Sequence, residues 1–216
     1  YTFCALAVLA LSSVTLAQPK VVAAANAMTE GSRQAVYPFG YTTPRVHQVW
    51  DGGAITSSVG FIDGINFRGN APRTAAVPGR SYKNLQMQFG ATTVSPVTMT
   101  TTFASNITST MTTVVNCAYN LPPQPALATS PSPFNVRFSW NTPVMFSSMT
   151  GDILLMDVTI PGPRGKSSYF LDAEVSSGGS SGGVVRPFGT TGKFSRPETV
   201  TLSGDAQTLI PGGTLD

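Results

Sequence analysis

Tyr82-Lys-Asn-Leu-Gln-Met-Gln-Phe89 decides the fold. Lys83, Leu85, Met87 and Phe89 alternate with Tyr82, Asn84, Gln86 and Gln88, and side chains on an extended strand switch faces at every residue. The alternation therefore predicts a strand whose Leu85, Met87 and Phe89 share a core face, with Tyr82 on the opposite side among the amides. Asn135–Trp140 repeats the pattern, with Val136, Phe138 and Trp140 on one side and Asn135, Arg137 and Ser139 on the other. Trp140 shares the apolar face and is read as core.

Further out along the chain, Asp152–Ile160 carries a nearly unbroken apolar run, Ile153, Leu154, Leu155, Met156 and Val158, which suits a central strand covered on both faces. Tyr169–Val175 alternates again, placing Phe170, Asp172 and Glu174 opposite Tyr169, Leu171, Ala173 and Val175. Shorter apolar segments predict strands at Val46–Trp50, Phe61–Phe67, Val97–Thr101, Met111–Tyr119, Val184–Phe188, Val200–Ser203 and Thr208–Ile210. Thr102–Asn106 predicts a single helical turn, and Pro72–Gly79, Pro122–Pro133 and the Gly/Ser stretch Ser176–Gly183 read as loops. The sum is an all-β chain: an antiparallel β-sandwich, jelly-roll-like, of about eleven strands. A single domain over 37–216 follows a flexible segment over 18–36.

The apolar run Phe3–Ala17, closing in the small-residue sequence Thr15-Leu16-Ala17, predicts an export leader over 1–17. It is shorter than the roughly 20 residues a membrane-spanning helix needs, so cleavage rather than anchoring is expected. No Lys or Arg precedes Lys20, so the leader itself reads as truncated at its start. Export fixes the setting as secreted or cell-surface, and no membrane span is expected once the leader is gone.

Charge is the compositional outlier. Only 11% of the 216 residues are Asp, Glu, Lys or Arg, against about 25% in an ordinary soluble domain. Ser and Thr together number 49. A hydroxyl and amide surface suits an extracellular β-domain and also suits subunits that pack side by side, because few charges must be desolvated on contact. Arg68, Arg73, Arg80 and Lys83 cluster in sequence, but without interleaved stacking aromatics or a helix to enter a groove; they read as a solvated loop, and no nucleic-acid partner is expected. Cys4 falls in the leader, which leaves Cys117 without an intramolecular partner; among Val114, Val115, Ala118 and Tyr119 it reads as a small buried apolar residue.

Catalytic constellations are sparse. His47 is the chain's one histidine; no Gly-x-Ser-x-Gly elbow accompanies it, so a structural or surface role is expected. Asp172 and Glu174 project from one strand face and form the candidate catalytic pair, since two carboxylates suffice for glycoside hydrolysis. Asp51 and Asp152 are candidate calcium ligands through their oxygens, although no calcium-loop pattern is present and no cofactor is expected. Trp50, ending a strand at Asp51-Gly-Gly53, and Tyr41 are the candidate sugar-binding rings, because such rings present flat apolar faces with polar edges.

Several stretches, Tyr37-Pro-Phe-Gly40, Arg45-Val-His-Gln-Val-Trp50, Ile65-Asn-Phe-Arg68, Leu85-Gln-Met-Gln-Phe89, Thr101-Thr-Phe-Ala-Ser-Asn106, Pro131-Ser-Pro-Phe134 and Gly151-Asp-Ile-Leu-Leu-Met-Asp157, resemble an uncharacterised family of exported bacterial β-sandwich proteins, many with a C-terminal sorting and anchoring tail. The resemblance implies export and a sandwich, and no reaction; the family's apolar tail has no counterpart after Pro211-Gly-Gly213. The expectation is a non-catalytic protein for structural assembly, adhesion or surface binding, whose partner is another copy of itself or an extracellular polysaccharide. The alternatives are a carboxylate-based glycoside hydrolase and a carbohydrate-binding module.

Overall fold

The computed structural model describes residues 20–22, 28–31, 33–35, 38–42, 45–51, 59–95, 98–100, 102–147, 153–161, 165–166, 169–173, 188–189 and 207–211. Its strands are β1 (Lys20–Val22), β2 (Arg33–Ala35), β3 (Tyr41–Thr42), β4 (Arg45–Asp51), β5 (Val59–Phe67), β6 (Arg80–Thr92), β7 (Thr112–Leu121), β8 (Val136–Ser147), β9 (Ile153–Thr159), β10 (Gly165–Lys166), β11 (Leu171–Ala173), β12 (Phe188–Gly189) and β13 (Gln207–Pro211), with one helical turn, α1 (Phe103–Asn106). The chain is all-β, and every pairing among the described residues is antiparallel. Of the thirteen segments only seven, β4 to β9 and β13, run for five residues or more, so the expected count of about eleven does not map one to one. Within the 18–36 lead-in, β1 pairs with β13 and β2 pairs with β11.

Two main sheets carry the fold: a five-stranded one in the order β12-β4-β9-β6-β7 and a four-stranded one in the order β1-β13-β5-β8. In the larger sheet the rows Val46–Val158–Met87, Gln48–Met156–Phe89 and Trp50–Leu154–Ala91 run across neighbouring strands on one face. Leu154, Met156, Val158, Met87, Phe89 and Trp50 from these rows join Ile62, Ile65, Phe67, Val136, Phe138, Val144 and Phe146 of the smaller sheet in one buried cluster. Phe39 stacks on Phe138 at 5.4 Å between ring centroids and meets the edge of Phe67 at 5.3 Å. Such offset and edge-on contacts add to the apolar area they bury.

The opposite face of the larger sheet is covered as well. Val49 and Leu155 are fully buried there, and the β6–β7 connection lies over them. Phe103 of α1 sits edge-on to His47 at 4.6 Å, and a Cβ added to Gly90 would stand 2.6 Å from Met111 Sδ and 2.9 Å from Thr110 O. Coverage on both sides explains why β9 is buried from Leu154 through Val158, as its apolar run predicts.

Irregularities move residues away from simple alternation. Between Tyr82 and Leu85, two β6 residues oppose Ala118 alone; this bulge turns Tyr82 inward, where it is 3% exposed and donates to the Phe39 carbonyl. The expectation of an outward Tyr82 fails because an extra residue shifts the phase by one. On β8, four residues bulge out opposite Asp63. They include Pro143, which an edge strand tolerates because it lacks an N–H for a ladder. Thr98–Thr100, the described part of the expected strand Val97–Thr101, form none; Thr98 N–H donates to Ser95 O at 3.0 Å and Ser95 N–H to Thr98 Oγ1 at 2.9 Å, a local turn that displaces the ladder. Cys117 is exposed rather than buried; among the described residues β7 is the end strand of its sheet. The expected strand Val200–Ser203 and the loop Ser176–Gly183 lie outside the described residues.

Gln48 stands in the inner row beside Met156, fully buried, with neither amide atom hydrogen-bonded. A buried unsatisfied polar group costs about 1–3 kcal/mol. Gln48→Met, which keeps the volume and removes the orphaned atoms, is expected to stabilise the protein by about 1–3 kcal/mol in urea denaturation; a loss of stability would contradict this placement.

Candidate functional site

Among the described residues, oppositely charged side chains meet at two places, both across strand pairings. At the first, β5 continues past Phe67 into Arg68-Gly-Asn70, against which β11 runs antiparallel. Asp172 N–H donates to Arg68 O and Asn70 N–H to Phe170 O, each at 3.1 Å. That pairing sets Arg68 beside Asp172, with Nε donating to Oδ2 at 2.8 Å and Nη2 2.6 Å from the same oxygen. The Arg68 side chain is 1% exposed and that of Asp172 is fully buried. The second carboxylate oxygen, Oδ1, accepts the Gly31 N–H at 2.8 Å, and Arg68 Nη2 also donates to the Thr29 carbonyl. The guanidinium carbon lies 5.3 Å from the centre of the Phe134 ring.

Glu30 completes this cluster from the same lead-in segment. Its Oε1 accepts the Ala71 N–H, whereas Oε2 is buried without a hydrogen-bond partner. Burial pushes the Glu30 carboxyl above the usual carboxylate range; the Ala71 hydrogen bond and Arg68 oppose that rise, and the Asp172 charge adds to it. Nearby Arg73 donates to Asn70 O, to Ser132 Oγ at 3.1 Å and to Pro125 O at 3.2 Å. Backbone bridges Arg73↔Leu127 and Val77↔Gln124 zip the two proline-bearing loops together at the same end.

The second cluster lies on the outer face of the larger sheet. His47 of β4 stands opposite Asp157 of β9, which in turn stands opposite Gln88 of β6. Arg45 grips Asp157, donating from Nε at 3.1 Å to Oδ1 and from Nη2 at 2.7 Å to Oδ2. His47 Nε2 lies 3.3 Å from Oδ2, within ion-pair reach but not aligned as a hydrogen bond, and the ring is fully buried beneath Phe103. Burial alone would raise the Asp157 carboxyl; the contacts with His47 and Arg45 outweigh it and hold that group below the usual range.

Both Asp172 oxygens are engaged, and the His47 imidazole is fully covered. The expected solvated loop is corrected for its arginines: Arg68 is buried in its ion pair, and Arg73 and Arg80 are clamps, the latter donating to Phe39 O at 3.1 Å and lying against the Tyr82 ring, whereas Lys83 is exposed. The reason is desolvation, which a guanidinium tolerates when its fork is filled. Trp50 is 1% exposed in the inner row, so it presents no ring face for a sugar. Asp172 is likewise a covered residue, not one exposed on a strand face. Glu174 and Asp152 lie outside the described residues, as do the side chains of Tyr41 and Asp51. Trp140 is half-buried, donates to Ile62 O at 2.9 Å and packs on Phe89.

Among the described residues no three His, Cys, Asp or Glu side chains come together to hold a metal ion, and no helix is long and apolar enough to cross a membrane. Comparison with protein-family models, with curated proteins and with solved structures returns no match to this chain.

Reading the sequence alone missed Glu30, Arg68 and Arg45 as partners. One signal was available: Asp157 interrupts a buried apolar run, and a buried carboxylate demands a cation. Glu30 supplies a pH test. Its raised folded-state pKa means that the folded protein binds the proton more tightly than the unfolded chain. Its contribution therefore favours folding below about pH 4 and is lost as pH rises through the folded value. Melting curves of the native protein and Glu30→Gln from pH 3.5 to 7.5 are expected to show the variant gaining on the native protein as pH rises; a constant difference would contradict the burial of this carboxyl.

Proposed function

We propose that the chain is an exported β-sandwich, jelly-roll-like in its strand arrangement, that works by structural assembly, adhesion or surface binding and not by catalysis. The observation that carries this reading is the use made of Asp172. The carboxylate with the best claim to chemistry has one oxygen on Arg68 and the other on the Gly31 N–H, so it is committed to holding the lead-in segment against the β-layers. The apolar run Phe3–Ala17 supports export to the extracellular space or cell surface. The low charge supports association, because contact between hydroxyl and amide surfaces desolvates little. A carboxylate-based hydrolase would need Asp172 to reach solvent, and its 1% exposure weighs against that.

Sedimentation velocity of residues 18–216 over a hundredfold concentration range, together with retention on immobilised extracellular polysaccharides, tests the reading. Concentration-dependent larger species or retention is expected. A strictly monomeric protein with no retention, or one that cleaves a polysaccharide and loses that activity in Asp172→Asn, would overturn it.

A further inference from the structure

Among the described residues, β7 ends the five-stranded sheet, bonded to β6 on one side only. An edge strand presents a row of unpaired N–H and C=O groups, and proteins usually guard such rows with charge, proline or bulges. The end strand of the other sheet, β8, is guarded in this way, by Arg137, Pro143 and its four-residue excursion opposite Asp63. β7 has one such device, an extra residue at Val114. Beyond it, Val115-Asn-Cys-Ala-Tyr-Asn-Leu121 runs without a bulge of its own, without proline and without charge. Tyr119 stiffens this stretch, stacking on Phe138 at 4.4 Å and donating to Arg137 O.

The stretch is also self-complementary about its midpoint. An antiparallel pair with a two-fold axis at Ala118 sets Asn116 opposite Asn120 and the buried Val115 opposite the buried Leu121, with exposed, small Ala118 facing its own copy. Polar residues meet polar ones, apolar residues meet apolar ones, and no like charges are opposed.

We propose that Val115–Leu121 pairs antiparallel with the same segment of a second copy, centred on Ala118, joining two five-stranded sheets into one. This deepens the assembly reading by naming the surface and rests on it. The pairing is isologous, and it adds backbone hydrogen bonds along a rigid strand of about 23 Å.

Two sets of variants test it, with far-ultraviolet circular dichroism and thermal unfolding confirming that each is folded. Ala118→Lys opposes two ammonium groups at the axis and is expected to raise the dimer dissociation constant at least about tenfold, whereas Asn141→Lys, at an exposed position on β8, leaves it unchanged. In a Cys117→Ser background, Ala118→Cys is expected to form a disulfide-linked dimer under mild oxidation much faster than Asn141→Cys. Native Cys117 cross-links more slowly than Ala118→Cys, because in this register the two Cys117 residues are diagonal neighbours at about 7–8 Å. An oligomer that survives Ala118→Lys, or equal cross-linking at 118 and 141, would overturn the pairing while leaving assembly standing. A protein that stays monomeric at every concentration would overturn both.

Discussion

The structure depends on one constraint, the cost of taking a charge out of water. A chain with 13 basic and 10 acidic residues among 216 has little charge to spare for its surface, yet Arg68, Asp172 and Asp157 are all buried. A buried charge persists only when it is paired and its remaining lone pairs or protons are filled. Arg68 and Asp172 meet that condition by joining the end of β5, β11 and the 28–31 segment, three parts of the chain distant in sequence. Arg45 and Asp157 meet it by tying β4 to β9. The ladder sets Arg68 directly beside Asp172 and His47 opposite Asp157, with Arg45 reaching Asp157 from two residues along β4, so strand register and charge pairing specify the same arrangement.

The layered β architecture was legible in the sequence wherever one rule acted alone. Leu85, Met87 and Phe89 lie inside, and Val136 and Phe138 lie inside with Arg137 and Ser139 exposed, because period-two alternation needs only a strand with two different faces. The continuous run in β9 was legible for the complementary reason, that a strand covered twice has no wet face. Legibility failed at Tyr82, where a bulge shifted the phase. It failed again at Val97–Thr101, where Ser and Thr hydroxyls offered the backbone an alternative to the ladder. Neither bulge positions nor side-chain turns are encoded in hydrophobic periodicity.

The charged clusters were much less legible. Spacing along the chain gave Asp172 a neighbour in Glu174, whereas in space its partner is Arg68, 104 residues away. Strand pairing between remote segments decides such contacts, and composition gives no register. Trp50 misled for a related reason: its place beside Asp51-Gly-Gly53 marked the end of a strand, but the inner face extends as far as that end. Cys117 shows the converse, an apolar neighbourhood in sequence that lies at the open side of a sheet. The ion pairs that fasten this β-fold are thus contacts that only the fold creates.

The measurement that bears most directly on this fastening is a double-mutant cycle at Arg68 and Asp172 by urea denaturation, using Arg68→Met, Asp172→Leu and the combination. Each single change leaves a buried charge without its partner and should cost about 3–5 kcal/mol, while the double change should cost far less than the sum. Strong coupling of that kind is predicted. Additivity within about 0.5 kcal/mol would mean that the two groups act independently, and the buried ion pair would not be what holds the segments together.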